Sequence, residues 1–336
     1  MLYNLNVIQK KIVGVLFGGF SGEASVSQQS ALNVYDLVDK NLFEKYLIEL
    51  DHDDEWWLHD DGIKWPRSMS DSGLKFRIAE KIISIDIVCN FIHGAPGEDG
   101  QLQHYLNTIN VPCTGSGKTT MIQTFDKHLC NTILTDNYFS VAKNYLHQNE
   151  VTEQTFDTIK KHLGSLPYFV KPNSGGSSLA SGIAHTEPEL FRLITAALEV
   201  DDSVLIETVL PGREFSIGVF EYNDEIIVLP ITEIISDNEF FDFQAKYDGA
   251  ATEITPAKID QQLTIELQKL GEDIFRLFDC EDMIRFEVKM DDKDRFKILD
   301  INTIPGFTDR SILPQQLKAA KIKPANFVNQ MINKNL

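Results

Sequence analysis

Positive charge is scarce in this sequence. Its 336 residues include 31 Lys and Arg but 50 Asp and Glu, which gives a formal net charge of −19. A protein that binds nucleic acid needs a basic face to neutralise phosphates, and electrostatic attachment to an anionic membrane needs one too. We therefore expect neither nucleic acid nor a membrane as a partner.

A long apolar run is also missing, since no stretch approaches the ~20 residues that a membrane-spanning helix needs. Lys10 and Lys11 precede the apolar residues 12–20, as they would in a signal peptide. That stretch is short, however, and no small-residue cleavage site follows it. We interpret it as a buried first strand that ends in Gly-Gly.

Cysteine is rare, and no two cysteines form a C-x-x-C pair. Such spacing is typical of ordinary core residues in a reducing compartment, which predicts a cytoplasmic protein. The four residues are Cys89, Cys113, Cys130 and Cys280.

What is present is the composition of a globular protein, with 43% hydrophobic and 24% charged residues. Strand-like and helix-like stretches alternate in the first third, where Ile12–Leu16 and Ile82–Phe91 are predicted to be buried parallel strands. This pattern predicts an N-terminal α/β domain over residues 1–116, built on a doubly wound parallel sheet.

The rest of the chain predicts two further α/β or α+β domains, over residues 117–211 and 212–336, and so a three-domain architecture. The predicted helices cover 119–137, 188–198 and 260–277. The predicted strands cover 168–171, 204–207, 214–220, 225–230, 284–290 and 296–301.

The segment from Thr114 to Thr120, T-G-S-G-K-T-T, imitates a phosphate-binding P-loop. That motif requires a first glycine where this chain has Pro112, which has no backbone N–H to offer a phosphate. We therefore interpret the segment as a turn between domains, with Lys118 outside any phosphate site.

Two other glycine-rich loops are better candidates for ligand contact. Glu23 follows Gly18-Gly19-Phe20-Ser21-Gly22 at the start of a predicted helix. Its negative charge is either there because the helix dipole stabilises it, or because it faces a substrate ammonium. Lys171 ends a strand and precedes P-N-S-G-G-S-S, a loop rich in N–H and hydroxyl donors. Such a loop can close over phosphate oxygens, although a surface hairpin has a similar sequence.

The strongest pattern is a pair of carboxylates on two predicted strands. In a hairpin whose loop is 292–295, Asp291 lies opposite Phe296, so Glu287 lies opposite Asp300 and Arg285 opposite Asn302. Ile298 would share the face of Asp300 and Asn302. Facing carboxylates repel each other unless a cation lies between them. Mg²⁺ bound together with substrate phosphates suits this oxygen set, whereas the alternative is a solvated acidic face neutralised by Arg285 and Lys289.

Glu207 and Glu214 flank a turn between two strands and suit the amine of an adenine and the diol of a ribose, although such residues are more often plain surface acids. His93, which precedes Glu98-Asp99-Gly100, is similarly ambiguous.

Taken together and in order, these segments resemble the D-alanine–D-alanine ligase family of ATP-grasp enzymes, from about residue 12 to residue 316. The matching segments are F-G-G-F-S-G-E (17–23), I-H-G-A-P-G-E-D-G (92–100), T-G-S-G (114–117), F-D-K (125–127), F-D-F-Q-A-K-Y (241–247) and D-I-N-T-I-P-G-F-T (300–308).

The resemblance implies a role for particular residues. Contacts to ATP would come from Lys127, Lys171, Ser177, Ser178, Glu207, Leu210, Glu214 and Lys246. Two Mg²⁺, or Mn²⁺ in their place, would be held by Glu287, Asp300 and Asn302. The first D-alanine would be held by Glu23 with His93 nearby, and the second by Ser311 and Ile312. Tyr247 would join Glu23 and Ser177, and the oxyanion site would be formed by Arg285 and Gly306.

The reaction implied is ATP-dependent ligation of two D-alanines through an acyl phosphate, for peptidoglycan precursors, by an enzyme expected to be a homodimer. Alternatives are a ligase with D-lactate or D-serine as acceptor, a nucleotide-binding protein without ligase activity and, more distantly, a P-loop kinase. The chain departs from the family pattern at Gly175 and Ala180 of the phosphate loop, in the order of Glu287 and Asp300, at Ser25, and at Lys289, where an apolar residue is usual.

Overall fold

A buried apolar strand, β1 (Lys11–Gly18), is the centre of the first sheet. The computed structural model describes residues 10–68, 72–176, 180–223, 225–236, 251–293 and 295–336. Helix α1 (Ala24–Leu37) connects β1 to the parallel strand β2 (Phe43–Leu50), and β7 (Ile87–Asn90) is parallel to β1 on its other side. The first predicted strand is thereby confirmed.

The parallel part of this sheet is smaller than predicted. Strands β3 (Trp56–Asp60) and β4 (Ile63–Pro66) extend it in antiparallel fashion, in the order β4-β3-β2-β1-β7. Strands β5 (Leu74–Ile78) and β6 (Lys81–Ile85) form a separate antiparallel pair.

The prediction of one strand over Ile82–Phe91 is therefore wrong, because β6 and β7 belong to different sheets. Asp86 separates them. Its backbone N–H donates to the Ile12 carbonyl at 2.9 Å, and its carboxylate accepts the Ile12 N–H at 2.8 Å. The chain is thus fixed to the start of β1 at this point.

The helix predicted over 119–137 is also two helices. After α2 (Gln101–Thr108) come α3 (Lys118–Phe125) and α4 (Lys127–Asp136). Asp126 interrupts them with an extended ψ of 102°, and its side chain caps α4 by accepting the Leu129 N–H at 2.9 Å. Aspartate is favourable at an N-cap because its carboxylate accepts a backbone N–H of the first turn. Lys127 is the next residue, so the cap also fixes the backbone of Lys127.

The second sheet is antiparallel, in the order β10-β9-β11-β8. Its strands are β8 (Asn144–His147), β9 (Tyr168–Pro172), β10 (Gly182–Ala184) and β11 (Val204–Thr208). Helices α5 (Thr155–Leu163) and α6 (Glu187–Leu198) cover it with an apolar face, of which Ile159, Leu190 and Ile194 are fully buried.

The third sheet has the order β15-β14-β12-β16-β17, with β13 paired to β12. Its strands are β12 (Arg213–Tyr222), β13 (Glu225–Val228), β14 (Thr232–Ser236), β15 (Ala251–Ile254), β16 (Met283–Met290) and β17 (Phe296–Asn302). Helix α7 (Gln261–Leu277) packs on it in a shared core that includes Leu267, Ile217 and Phe286.

The last helices, α8 (Ile312–Ala319) and α9 (Pro324–Asn335), join the third sheet to the first. Phe307 precedes them and packs on Phe91 of the β7 exit and on Phe327 of α9, with ring centroids 5.7 and 5.8 Å apart. The Phe307 carbonyl accepts from Asn33 of α1 at 2.7 Å. The chain segment after β17 is thus held against α1.

The P-loop-like segment is used for packing. The Gly115 N–H donates to the buried carboxylate of Asp282 at 2.7 Å, and Ser116 bonds to the backbone of Glu281. Lys118 begins α3 and is exposed. These contacts fit the interpretation that the segment is a turn and not a phosphate-binding loop.

The β16–β17 hairpin has the predicted pairing at one end only. Glu287 lies opposite Asp300, and Arg285 opposite Asn302, as predicted. At the turn, however, Met290 and not Asp291 lies opposite Phe296, because the register shifts between Glu287 and Val288. Leu299 is the extra residue of this β-bulge.

The bulge also corrects the predicted faces. Ile298 lies opposite Val288 and is buried with it in the core under α7, so it does not share the face of Asp300. A bulge places two residues of one strand against one of its partner and redirects the side chains that follow. Here it separates an apolar half of β17 from a polar half.

No helix in the described ranges is long and apolar enough to cross a membrane. The division of the chain at residues 117 and 212 stays a prediction.

Candidate active site

A cavity of about 470 Å³ lies between the second and third sheets and reaches the start of α1. This volume is typical of small-molecule sites. Eight of the predicted site residues line it: Glu23, Lys127, Lys171, Glu207, Leu210, Glu214, Glu287 and Asp300. They come from strand ends and helix starts that are far apart in sequence.

Lys171 is buried at the end of β9. Its ammonium lies 2.9 Å from the Glu207 carboxylate of β11 and 3.4 Å from the Leu299 carbonyl of the bulge. Burial alone would lower the pKa of Lys171, but the Glu207 and Asp300 carboxylates outweigh it and raise the pKa above its usual value. Lys171 therefore stays charged inside the cavity.

Lys127 is the first residue of α4. Its ammonium donates to the Gly175 carbonyl at 2.5 Å and lies 3.8 Å from the Asp300 carboxylate. Its backbone N–H donates to the Asn173 carbonyl, and the Asn173 amide donates to Asp126 at 2.9 Å. Lys127 is thus fixed by the loop that leaves β9, whereas Lys171 is fixed by β11 and β17.

Glu287 and Asp300 face each other across β16 and β17, with Asn302 two residues further. Glu287 also accepts from Arg285 at 2.8 Å and from Ser216 at 3.2 Å, and the Asn302 amide oxygen accepts the Ile304 N–H at 2.9 Å. In the described ranges no three His, Cys, Asp or Glu side chains form a metal-binding group. Two carboxylates and an amide fit a cation that also binds phosphate oxygens.

An apolar slot lies beside these charges. Its side chains were missed in the sequence, because isolated apolar residues on strands carry no chemical signal. They include Ala142, Phe169, Ile183, Val200, Val209 and Leu299. Leu299 reaches the cavity because it is the bulge residue.

The sequence also missed one polar partner of the slot, Asn131, and it considered Lys289 only as a counterion of the carboxylate pair. The Asn131 amide donates to Glu207 at 3.1 Å, which supports the Glu207–Lys171 pair. Lys289 lines the cavity with its ammonium 3.1 Å from the Glu214 carboxylate, so it does not neutralise Glu287 or Asp300 as the alternative interpretation required.

Glu23 is the N-cap residue of α1, but its side chain does not cap the helix. Two glycines enclose its carboxylate: a Cβ at Gly176 would lie 2.9 Å from both oxygens, and a Cβ at Gly94 would lie 3.3 Å from one. Only glycine permits this close approach, so the glycine-rich loop after β9 and the loop after β7 meet at Glu23.

Glu98 is a buried acid next to Glu23 that the sequence did not single out. Its carboxyl accepts the Gly94 N–H at 2.6 Å. Burial, and then the charge of Glu23, raise the pKa of Glu98 to about 8. The carboxyl is therefore protonated near neutral pH.

His93 lies behind Glu23 and outside the cavity wall as far as the chain is described. Its Nε2 atom is 3.1 Å from the Ser30 hydroxyl, and the ring also bonds to the Ile304 backbone. Burial lowers the pKa of His93, which makes the ring neutral. It connects α1 to the segment after β17.

Arg285, Gly306, Ser311 and Ile312 do not line the cavity, as far as the chain is described. Arg285 pairs with Glu287, and a Cβ at Gly306 would lie 3.2 Å from the Ser311 hydroxyl. Ser311 bonds to Thr308 and precedes Ile312, which is buried. Ser177, Ser178, Lys246 and Tyr247 lie outside the described residues.

The chain matches two family descriptions, "D-ala D-ala ligase N-terminus" over residues 12–116 and "D-ala D-ala ligase C-terminus" over residues 132–333. A D-alanine–D-alanine ligase from Flavobacterium johnsoniae is 37% identical over 329 residues, which cover 97% of this chain and 99% of that protein. One from Azobacteroides pseudotrichonymphae is 36% identical, covering 96% and 99%.

Solved structures agree with this result. The VanG D-Ala:D-Ser ligase from Enterococcus faecalis superposes with a TM-score of 0.84 at 26% identity, covering 98% of this chain and all of its own. A D-alanine–D-alanine ligase from Bacillus anthracis complexed with ATP has a TM-score of 0.75 at 25% identity, covering 97% of each chain. These likenesses confirm the predicted fold class.

Glu98→Gln should flatten the pH dependence of stability. Native Glu98 keeps a proton that the unfolded chain has released, so the free energy of unfolding falls as pH rises from about 4.5 to about 8. One such group contributes a slope of up to about 1.4 kcal/mol per pH unit. Urea titrations at pH 5, 6, 7 and 8 should give a shallower slope for this variant.

Glutamine retains an acceptor for the Gly94 N–H, so folding should survive the change. Glu150→Gln, at an exposed position, is the matched control and should keep the wild-type slope. Equal slopes in all three proteins would contradict the assignment.

Proposed function

Because this chain belongs to the D-alanine–D-alanine ligase family, we propose that it joins two D-alanine molecules into D-alanyl-D-alanine with conversion of ATP to ADP and phosphate. The observation that supports this most is one cavity that contains two fixed lysines, two facing carboxylates and an apolar slot. A nucleotide bound with a divalent cation can use all three: the slot for its base, the lysines for its phosphates and the carboxylates for the cation. The dipeptide would serve peptidoglycan precursor synthesis.

ATP would lie along the cavity. The apolar slot around Phe169, Leu210 and Leu299 suits an adenine, with Glu207 as acceptor for its amine. Glu214 suits the ribose diol, and Lys127 and Lys171 suit the phosphates. Ser177, Ser178 and Lys246 would complete these contacts.

Glu287, Asp300 and Asn302 would hold Mg²⁺, and Mn²⁺ is an expected substitute. Bound there, the metal would neutralise charge on the phosphates and act as a Lewis acid. Their donor set is too small for an all-protein cage, which suits an ion shared with a nucleotide.

Glu23 would hold the ammonium of the first D-alanine and so orient its carboxylate towards the phosphates. That carboxylate is a poor acyl donor, and its phosphorylation makes an acyl phosphate that the second amine can attack. Arg285 and the Gly306 N–H would stabilise the oxyanion, with the second D-alanine at Ser311 and Ile312. Neutral His93 would support Glu23 from behind.

The acyl phosphate must be protected from water. The loops that meet at Glu23 suit this need, and Tyr247 would contribute to the closed site. D-Serine and D-lactate remain alternative acceptors for the test below. A cytoplasmic homodimer remains our expectation.

The purified protein should release ADP and phosphate in the presence of D-alanine, ATP and Mg²⁺, and mass spectrometry should detect D-alanyl-D-alanine. L-Alanine, D-lactate and D-serine in place of D-alanine are the matched controls, each with and without Mg²⁺. ADP release without any dipeptide would contradict the ligase function, and faster product formation with D-serine or D-lactate would change the acceptor.

Lys171→Met should weaken ATP binding by about 10- to 100-fold, because a hydrogen bond to a charged group is worth about 1.5–3 kcal/mol. Lys118→Met is the matched control and should bind ATP normally, since Lys118 is exposed and is not among the described residues that line the cavity. Isothermal titration of both variants, with circular dichroism to verify folding, makes the comparison. The reverse order of effects would move the phosphate site to the P-loop-like segment.

Asp300→Asn should lower turnover by several orders of magnitude, because a metal at the transferring phosphate supplies several kcal/mol. Stability without nucleotide should change little. Relief of the repulsion from Glu287 is worth roughly 0.2–1 kcal/mol, and loss of the 3.8 Å contact with Lys127 offsets part of it.

Asp292→Asn, in the exposed turn of the same hairpin, should change neither property. Thermal melts without nucleotide and turnover assays separate the two roles of Asp300. A clearly lower melting temperature with near-normal turnover would mean that the carboxylate is structural.

A further inference from the structure

Lys289 pairs with Glu214 in the cavity wall, and the proposed function assigns a contact to Glu214 but none to Lys289. They lie directly opposite each other on β16 and β12, and the ammonium is 3.1 Å from the carboxylate. Their side chains are 20% and 10% exposed, and both line the cavity.

The position of Lys289 is not favourable for the sheet alone. On its other side, across β17, it lies opposite Lys297. Two lysines opposite each other repel, and a half-buried ammonium loses part of its hydration. A buried ion pair also rarely stabilises a protein more than apolar side chains of the same size would. The pair therefore suits a role towards a ligand.

The chemistry of the pair matches a hydroxyl group. An ammonium has three protons and only donates, whereas a carboxylate only accepts. A sugar hydroxyl does both, so one hydroxyl can accept from Lys289 while it donates to Glu214. A carboxylate without the lysine could accept a hydrogen bond from the hydroxyl but could not donate one to it.

We propose that Lys289 is a specificity residue that, together with Glu214, selects nucleotides by their ribose hydroxyls; this rests on the proposed function. Both residues line the same cavity as Leu210, Leu299 and Lys171, the residues to which the proposed function assigns the adenine and the phosphates. A nucleotide that lacks this hydroxyl loses its contacts with Lys289 and Glu214, although binding still removes water from the pair. Such sites reject the deoxy analogue strongly.

The test measures binding and not turnover. Isothermal titration without D-alanine gives the Kd of ATP, 2′-deoxy-ATP and 3′-deoxy-ATP for the wild type and for Lys289→Met. The wild type should bind at least one deoxynucleotide about tenfold or more weakly than ATP. Lys289→Met should bind ATP about tenfold more weakly and that deoxynucleotide almost unchanged, so the discrimination disappears.

Two further variants separate the ribose contact from general effects. Lys297→Met removes the facing lysine from the same sheet row and should leave all three Kd values unchanged. Lys289→Arg keeps a donor beside Glu214 and should restore at least part of the discrimination, and it serves also if the methionine variant does not fold.

The discrimination ratio decides the result. An unchanged ratio in Lys289→Met, whether or not its melting temperature falls, would overturn the role of Lys289 and leave the proposed function intact. Equal weakening of all three nucleotides would also overturn it, because it would show a general electrostatic effect. A wild type that binds none of the nucleotides would overturn the proposed function as well.

Discussion

The facing carboxylates of Glu287 and Asp300 repel each other, and the positively charged side chains around them offset this repulsion. Two negative charges on neighbouring strands of a chain with a net charge of −19 need cations close by. Arg285 pairs with Glu287, and Lys127 approaches Asp300 to 3.8 Å. These two cations come from β16 and α4, so the hairpin and the start of α4 must keep one arrangement for the charges to remain balanced.

The same arrangement depends on the segment that follows β17. It is fastened to α1, because Ser30 contacts both the Phe307 N–H and the His93 ring. Glu23 begins α1, so its position is linked through one helix to the strand that carries Asp300. The carboxylate of Glu23 and the predicted metal ligands are therefore connected through α1 and the segment after β17, although they are far apart in the sequence.

The sequence was sufficient for most strands and for the pairing of Glu287 with Asp300, since alternation and hairpin length carry that information. It was insufficient where one polar side chain changes the backbone path. Asp86 divides a predicted strand through bonds to the distant Ile12. Asp126 divides a predicted helix because it caps the second half at Leu129, and it also accepts a bond from the distant Asn173 that no local pattern reveals. The bulge at Leu299 has no sequence signature either. The predicted turn was wrong by one residue, since Met290 and not Asp291 lies opposite Phe296. The bulge shifts the register back by one residue, so the predicted pairing of Glu287 with Asp300 was still right.

The two ion pairs of the cavity wall, Lys171–Glu207 and Lys289–Glu214, differ in how far they are buried. Lys171 and Glu207 are 10% and 6% exposed, and each has a further partner, the Leu299 carbonyl and the Asn131 amide. A charge pair that is so fully compensated is rigid. Lys289 has twice the exposure of Lys171 and faces the cavity from a less enclosed position. A bound nucleotide would thus meet a fixed pair near its base and phosphates, and a more adaptable pair where its sugar lies.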